Sequence, residues 1–245
     1  MNTYNKENVQ NRVNLSYKYS YFKDGLYSNH RLEKEIISTL KHIDLKELDK
    51  IENILDLGCG QGKWMNFFNI VFYGKANIYG LDLSKYQIDE LQTKFPNYHV
   101  ECCSMTSLPY KDEKFNLITA FTSFMFLKTK NEIEKTFYES SRVLKVGGYL
   151  LVEDVYKSDG HFSGRNLKDN GISGFNISEL DDYAQNSGFE KVAFKRVFKR
   201  LFWSTKSRLN TVNLSSNIGY TLTYLLELFV PGEMNNFIVL YKKVK

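Results

Sequence analysis

The fold is decided by Ile54-Leu55-Asp56-Leu57-Gly58-Cys59-Gly60-Gln61-Gly62-Lys63-Trp64. An apolar run with one embedded carboxylate enters three glycines at alternate positions, and a helix-like pattern follows. That order reads as a strand, a tight turn and a helix N-terminus. Glycine lacks a Cβ, so the turn can pass through positive φ and the backbone can approach a ligand closely. The N–H groups and dipole at the start of the next helix favour a carboxylate or phosphate. Alone, the motif points to a nucleotide-like ligand and to no particular reaction. A glycine turn without a ligand fits it too.

The next strand supplies the second half of such a site. Asn77-Ile78-Tyr79-Gly80-Leu81-Asp82-Leu83-Ser84 is an apolar run ending in a carboxylate, followed by a helical pattern over Lys85–Phe95. Asp82 falls about 20 residues beyond the last glycine, where an acid at a strand's C-terminal end can accept both ribose hydroxyl protons. Leu83 beside it offers an apolar face to a base. Asp82 or Ser84 could equally cap the following helix.

The glycine spacing narrows the ligand. Dinucleotide folds favour G-x-G-x-x-G, whereas this run is G-x-G-x-G with Asp56 two residues before the first glycine. It resembles the first motif of the class I S-adenosylmethionine-dependent methyltransferases. The resemblance continues through Ser104-Met105-Thr106-Ser107-Leu108-Pro109-Tyr110, similar to the family's adenine-side loop. Phe115-Asn116-Leu117-Ile118-Thr119-Ala120-Phe121 is similar to its fourth strand. Arg142 to Val152, with Gly147-Gly148 inside it, looks like the helix end, turn and fifth strand. Three positions depart from the pattern. Ser104 stands where an Asp near the adenine is usual, Asn116 replaces an Asp and implies local turn chemistry, and Val146 replaces a proline.

The resemblance implies a Rossmann-like, doubly wound α/β fold with a seven-stranded sheet whose last strand is antiparallel. Periodicity places strands at Asn53–Leu57, Asn77–Asp82, His99–Cys103, Phe115–Phe121, Tyr149–Asp154, Phe189–Phe194 and Phe237–Lys242. Helical patterns cover Arg31–His42, Lys63–Phe72, Lys85–Phe95, Lys130–Arg142 and Ile177–Ser187. Residues 1–50 read as an N-terminal helical cap and 51–245 as the methyltransferase domain. Within it, 203–234 is an insert before the last strand, read as an acceptor lid; long loops at a sheet's rim often serve that way. The insert and the tyrosine-rich stretch before Arg31 could instead form an aromatic mini-core or a dimer contact. Phe194–Trp203 leaves helix and strand in competition, as a basic amphipathic helix or as the end of the sixth strand. A solvated cationic face over buried aromatics is its simplest reading.

By the family pattern, Asp56, Gly58, Cys59, Gly60 and Gly62 hold the methionine part of S-adenosylmethionine. Asp82 takes the ribose, Leu83, Ser104 and Met105 surround the adenine, and Ala120 and Phe121 pass near the methionine end. Arg31 is placed toward the cofactor carboxylate, and Tyr21, Phe22, Phe126 and Trp203 toward the acceptor. Asp154 and His161 are candidate bases if the acceptor is a hydroxyl; a capping carboxylate and a surface histidine are their structural readings. The implied reaction moves a methyl group to a nitrogen or oxygen atom of a small molecule or peptide natural product. A nicotinamide-dependent oxidoreductase and a catalytically silent binding protein of the same fold are the alternatives.

Composition fits this. The 245 residues carry a net charge of +5 and three cysteines, which offer no disulfide framework and agree with a reducing cytoplasm. The cysteines and four histidines lack metal-ligand spacing, so no metal is expected. The polar start of the chain shows no signal region, and Ile218–Val230 falls short of the ~20 residues a bilayer span needs. No nucleic-acid module is visible, and a monomer or homodimer with a small-molecule or peptide acceptor is expected.

Overall fold

Strand β1 (Asn53–Leu57) lies at the centre of a parallel arrangement, where its run is buried on both faces. It pairs in parallel with β2 (Asn77–Asp82), with Asp56 opposite Gly80, and with β4 (Phe115–Phe121), with Asp56 opposite Thr119. Strand β3 (His99–Cys102) extends the sheet beyond β2, and β5 (Leu144–Val155) extends it beyond β4. With β6 (Phe189–Lys199) and β7 (Met234–Lys243) the seven strands run in the order β3-β2-β1-β4-β5-β7-β6. This is a computed structural model describing residues 25–156, 174–199 and 234–245.

The last strand runs antiparallel. Lys243 Nζ donates to the Leu144 carbonyl at the start of β5 (2.8 Å), and the Val244 N–H donates to the Gly188 carbonyl just before β6 (2.9 Å). The end of β7 therefore lies beside the beginnings of its two neighbours.

Helix α1 (Gly25–Leu40) and the single turn α2 (Leu45–Leu48) precede the sheet. Helices α3 (Lys63–Val71) and α4 (Lys85–Lys94) connect β1 to β2 and β2 to β3, α5 (Lys130–Val143) connects β4 to β5, and α6 (Ile177–Asn186) precedes β6. Alternate residues of β1 serve the two faces. Leu55 and Leu57 join the core cluster with Ile133 and Phe137 of α5. Asp56 opposes Gly80 on the other face, where a Cβ on Gly80 would stand 2.6 Å from Met65 Sδ and 2.9 Å from Cys59 Sγ. A side chain there would push α3 off the sheet.

Most boundaries fall within two residues of the periodicity. Three differ in an instructive way. Helix α1 begins at Gly25, ahead of Arg31. Strand β5 starts at Leu144, because Leu144 pairs with Phe115 before the Gly147–Gly148 turn and Tyr149 resumes pairing at Leu117. The basic stretch resolves as strand through Lys199, where Lys195 and Arg196 are exposed on the edge strand β6; charged side chains on an edge discourage further pairing.

Two compact units make up the chain, Met1–Ser38 with Arg196–Asn236, and Thr39–Lys195 with Phe237–Lys245. In the first, Arg31 Nε pairs with Glu35 Oε1 at 2.9 Å, one helical turn along α1.

Candidate active site

The strand order reverses between β1 and β4, so the connections leaving these two strands diverge and open a crevice beyond their C-terminal ends. Gly58, the first residue after β1, has φ +75°. A Cβ there would stand 2.7 Å from Ser123 Cβ and 3.8 Å from Met105 Cε. Segments that follow β1, β3 and β4 thus converge on one glycine, and no other residue fits. The turn is fastened to β2 through its Leu81 carbonyl, which accepts the N–H groups of Gly58 (2.8 Å) and Cys59 (2.9 Å). Gly62, at φ +76°, is the N-cap of α3 and makes no side-chain cap, leaving the helix start suited to an anion.

Two carboxylates flank the turn. Asp82 accepts from the Gly60 N–H through Oδ2 (3.0 Å) and from the Ser84 N–H through Oδ1 (2.8 Å). Burial raises its pKa against the pull of these N–H groups. Each oxygen keeps acceptor capacity for a ligand hydroxyl. Ser84, not Asp82, caps α4, accepting from the Gln87 N–H. Asp56 is buried and accepts from Thr119 Oγ1 at 2.8 Å. Burial, opposed by that bond and reinforced by the charge of Asp82, pushes its pKa up to about 7. A nearby cationic ligand would favour its ionised form.

The end of β4 is aromatic. Phe121 stacks on Trp64 of α3 with ring centroids 4.6 Å apart, and Lys63 Nζ stands 4.0 Å from the Trp64 centroid. Thr122 follows with φ +51°, a strained geometry for a β-branched residue. It is held by Glu153 of β5, whose carbonyl accepts the Thr122 N–H (2.8 Å) and whose Oε2 accepts the hydroxyl (2.9 Å). This bend delivers Ser123 to Gly58. The Ser123 hydroxyl is buried and has no hydrogen-bond partner among the described residues.

Asp154, expected as a base, is sealed from solvent. Its Oδ2 accepts the Met125 N–H (3.0 Å) and its Oδ1 the Val155 N–H (2.7 Å). Shut off from solvent and with each oxygen accepting a backbone N–H, the carboxyl fastens the turn Phe124–Phe126 to β5. Burial, with the charge of Glu153, pushes its pKa up to about 8.

On the β3 side, Leu83 is half exposed beside Asp82, and Cys102 Sγ donates to the Leu83 carbonyl at 3.7 Å. Ser104 Oγ accepts the Thr106 N–H (3.2 Å) and shares a hydrogen bond with Thr106 Oγ1 (2.8 Å). Its hydroxyl therefore shapes the loop that carries Met105. Ala120 is buried in β4, and Phe126 is exposed on the turn that follows.

The profile of a family described as a methyltransferase domain matches residues 54–148, from β1 to the turn inside β5. The matched segment and the fold around it are those of a methyltransferase domain. It is 26% identical over 195 residues to phosphoethanolamine N-methyltransferase of Triticum aestivum, covering 76% of this chain and 37% of that protein. The chain spans about two fifths of the length of the curated relatives it matches. Among solved structures, an S-adenosylmethionine-dependent methyltransferase from Clostridium acetobutylicum superposes with a TM-score of 0.63 at 16% identity, covering 97% of this chain and all of that one. The [4+2]-cyclase SpnF superposes with a TM-score of 0.58 at 20% identity, covering 86% and 81%. Both likenesses concern the fold.

In this methyltransferase fold the crevice gathers Asp56, Gly58, Cys59, Gly60, Gly62, Asp82, Met105 and Phe121. Arg31 belongs to the other compact unit, and Tyr21, Phe22, His161 and Trp203 lie outside the described residues. Sequence reading missed Trp64, Thr119 and Ser123. Trp64 was in view, directly after the glycine turn, but its stack on Phe121 depends on where α3 packs. Thr119 and Ser123 act through strand register, which the sequence alone does not print. Asn116 also differs from expectation. Its Oδ1 accepts the N–H groups of Glu52 (3.2 Å) and Asn53 (3.1 Å), and its Nδ2 donates to the Lys50 carbonyl (3.2 Å). It ties two distant parts of the chain together at the start of the sheet and makes no local turn.

Proposed function

We propose that the chain binds S-adenosylmethionine in the crevice between β1 and β4 and transfers its methyl group to a nitrogen or oxygen atom of a small molecule or peptide natural product. The observation that carries this reading is the convergence of Gly58, Met105 and Ser123, with a buried Ser123 hydroxyl that a polar ligand would satisfy. When bound, the cofactor supplies an electrophilic methyl on a sulfonium. The glycine turn and Asp56 are assigned to its methionine part, and Asp82 to the ribose. Leu83, Ser104 and Met105 are assigned to the adenine. Phe121, Ala120 and the added Trp64 line the methionine end. An aromatic face near a cation contributes roughly 0.5–2 kcal/mol, and holding the reacting atoms in line accounts for ~7–11 kcal/mol of a barrier.

The commitment of Asp154 to backbone favours an amine acceptor, which needs to arrive deprotonated but needs no strong base. The wheat relative's N-methyltransferase name agrees with this choice. The cytoplasm remains the proposed location, on the strength of three free cysteines; among the described residues no helix is long and apolar enough to cross a membrane. A second reading, a fold member that binds the cofactor without transferring methyl, is favoured by the likeness to a [4+2]-cyclase, since one fold hosts several chemistries. Incubation with methyl-labelled S-adenosylmethionine and fractionated cell extract separates the two. Label in a discrete small molecule or peptide supports transfer. Cofactor binding without labelled product in any fraction supports the second reading.

A further inference from the structure

Strand β3 ends at Cys102 and β4 begins at Phe115, and the twelve residues between them cross from one end of the parallel strands to the other without a helix. Such crossovers are usually helical. A loop has no helical ladder of its own, so its shape depends on what grips its backbone. The Ser104 carbonyl accepts the Ser107 N–H (3.1 Å), and the Ser104 hydroxyl is spent on Thr106. Beyond these internal bonds, every hydrogen bond among the described residues that leads from Ser104–Asp112 to another part of the chain ends on Glu139 or Arg142 of α5. Leu108 is held on both sides. Its N–H donates to Glu139 Oε2 (2.7 Å), and its carbonyl accepts from Arg142 Nη2 (3.0 Å). The Tyr110 carbonyl accepts from Arg142 Nη1 (2.8 Å), which also reaches Asp112 Oδ1 (2.7 Å). Arg142 meets Glu139 through Nε and Nη2, both at 2.8 Å, a two-point pairing that the point charge of a lysine cannot copy. That pairing holds the Glu139 carboxyl below the usual carboxylate range, so it stays a charged acceptor for Leu108. Three residues before Leu108 stands Met105, whose Cε lies 3.8 Å from where a Cβ on Gly58 would be. The gripped loop is therefore also a wall of the crevice.

We infer that Glu139 and Arg142 are positioning residues of the cofactor site: by gripping Leu108 and Tyr110, they set the loop that places Met105 against the glycine turn before a ligand arrives. They act through the loop backbone. A wall that is already ordered lowers the cost of binding, and one freed from its grip has to be ordered by the ligand itself. This inference rests on the proposed function above.

The test is Arg142→Lys, which keeps the charge and gives up the fork. Its control is Asp112→Asn, which removes an exposed ion pair to the same arginine and leaves the grips on Leu108 and Tyr110 in place. Hydrogen exchange over residues 104–110 of the ligand-free chain should quicken at least tenfold in Arg142→Lys and stay as in the wild type in Asp112→Asn, with β1 and β4 equally protected in all three. Calorimetric affinity for S-adenosylhomocysteine should fall about tenfold in Arg142→Lys and stay within twofold in Asp112→Asn, and saturating ligand should restore the lost protection. A lower melting temperature with unchanged affinity shows a merely structural role and overturns the inference, as do equal losses of affinity in the two variants. Should Arg142→Lys not fold, Glu139→Gln takes its place, with the same pattern expected and the same results decisive. No binding by the wild type overturns the proposed function, and the inference with it; exchange in the ligand-free chains tells that outcome apart from a failure of the grip.

Discussion

The two edges of the sheet are built in opposite ways. At the edge where the parallel strands begin, several side chains each make more than one hydrogen bond. Asn116 makes three hydrogen bonds that join Lys50, Glu52 and Asn53 to β4. The Glu47 carboxylate accepts from the Tyr149 hydroxyl and from Lys242 Nζ (3.0 Å), and these bonds hold its pKa below the usual carboxylate range. Arg142 spans the Leu108 and Tyr110 carbonyls, Glu139 and Asp112. At the edge where the parallel strands end, Asp56, Asp82 and Asp154 sit in sites that burial makes hostile to charge. Thr122 holds a strained φ, and Ser123 and Gln87 carry polar atoms without a partner among the described residues. Satisfied groups stabilise a fold, whereas buried groups that are left wanting mark where a ligand completes it. One edge holds the molecule together and the other is organised for binding.

The sharpest way to break this contrast is Gly58→Ala. The φ of +75° and the 2.7 Å approach to Ser123 Cβ add backbone strain and overpacking, together about 3 kcal/mol. Binding of S-adenosylhomocysteine should fall below detection by calorimetry while circular dichroism still reports the fold. Retained affinity would remove the crevice from the binding site.

Asn116→Ala is the matching change at the opposite edge. It should lower stability to urea by about 2 kcal/mol, because three backbone groups lose a partner. Cofactor affinity should stay within twofold of the wild type. A large loss of affinity would mean that the two edges are coupled.

The acidic residues add a pH dependence of defined sign. Asp56 and Asp154 hold protons up to about pH 7 and about pH 8 in the folded chain, against about 3.9 for an unfolded Asp. Between these values the folded state binds more protons than the unfolded one, so stability falls as pH rises. The fall begins near pH 4 and levels off above about pH 8, read from melting without cofactor. Melting temperatures that climb across that window would show that these carboxyls are charged in the fold.

Asp82→Ala should weaken S-adenosylhomocysteine binding by at least ~1.5 kcal/mol through loss of charge-assisted hydrogen bonds, while calorimetry with unchanged affinity would remove the ribose assignment. The smallest effect belongs to Thr122→Gly. Relief of the positive φ and loss of the hydroxyl bond to Glu153 roughly offset each other, leaving stability within about 1 kcal/mol in urea titration; a loss above 2 kcal/mol would show that the hydroxyl bond dominates.

The cofactor edge was legible in sequence wherever chain geometry forces residue type. The alternating glycines and the acid ending β2 could be read directly, because a positive φ and a close approach restrict a position to glycine. The seven strands and the antiparallel last one followed from the family resemblance. What stayed hidden depends on register between segments far apart in sequence. Asp56 meets Thr119 across a strand pair, Ser123 meets Gly58 only through the bend at Thr122, and Asn116 looks like a turn residue until Lys50 and Glu52 are seen beside it. Asp154 sat at the expected strand end, but one of the two backbone N–H groups that occupy it, that of Met125, belongs to a turn that no motif announces.

The most direct measurement is a calorimetric titration of the purified wild-type chain with S-adenosylhomocysteine. Saturable binding at one site per chain, weakened by Asp82→Ala and indifferent to Asn116→Ala, is the predicted result. No binding by the wild type, or equal weakening by both variants, would contradict a cofactor crevice confined to the ends of the parallel strands.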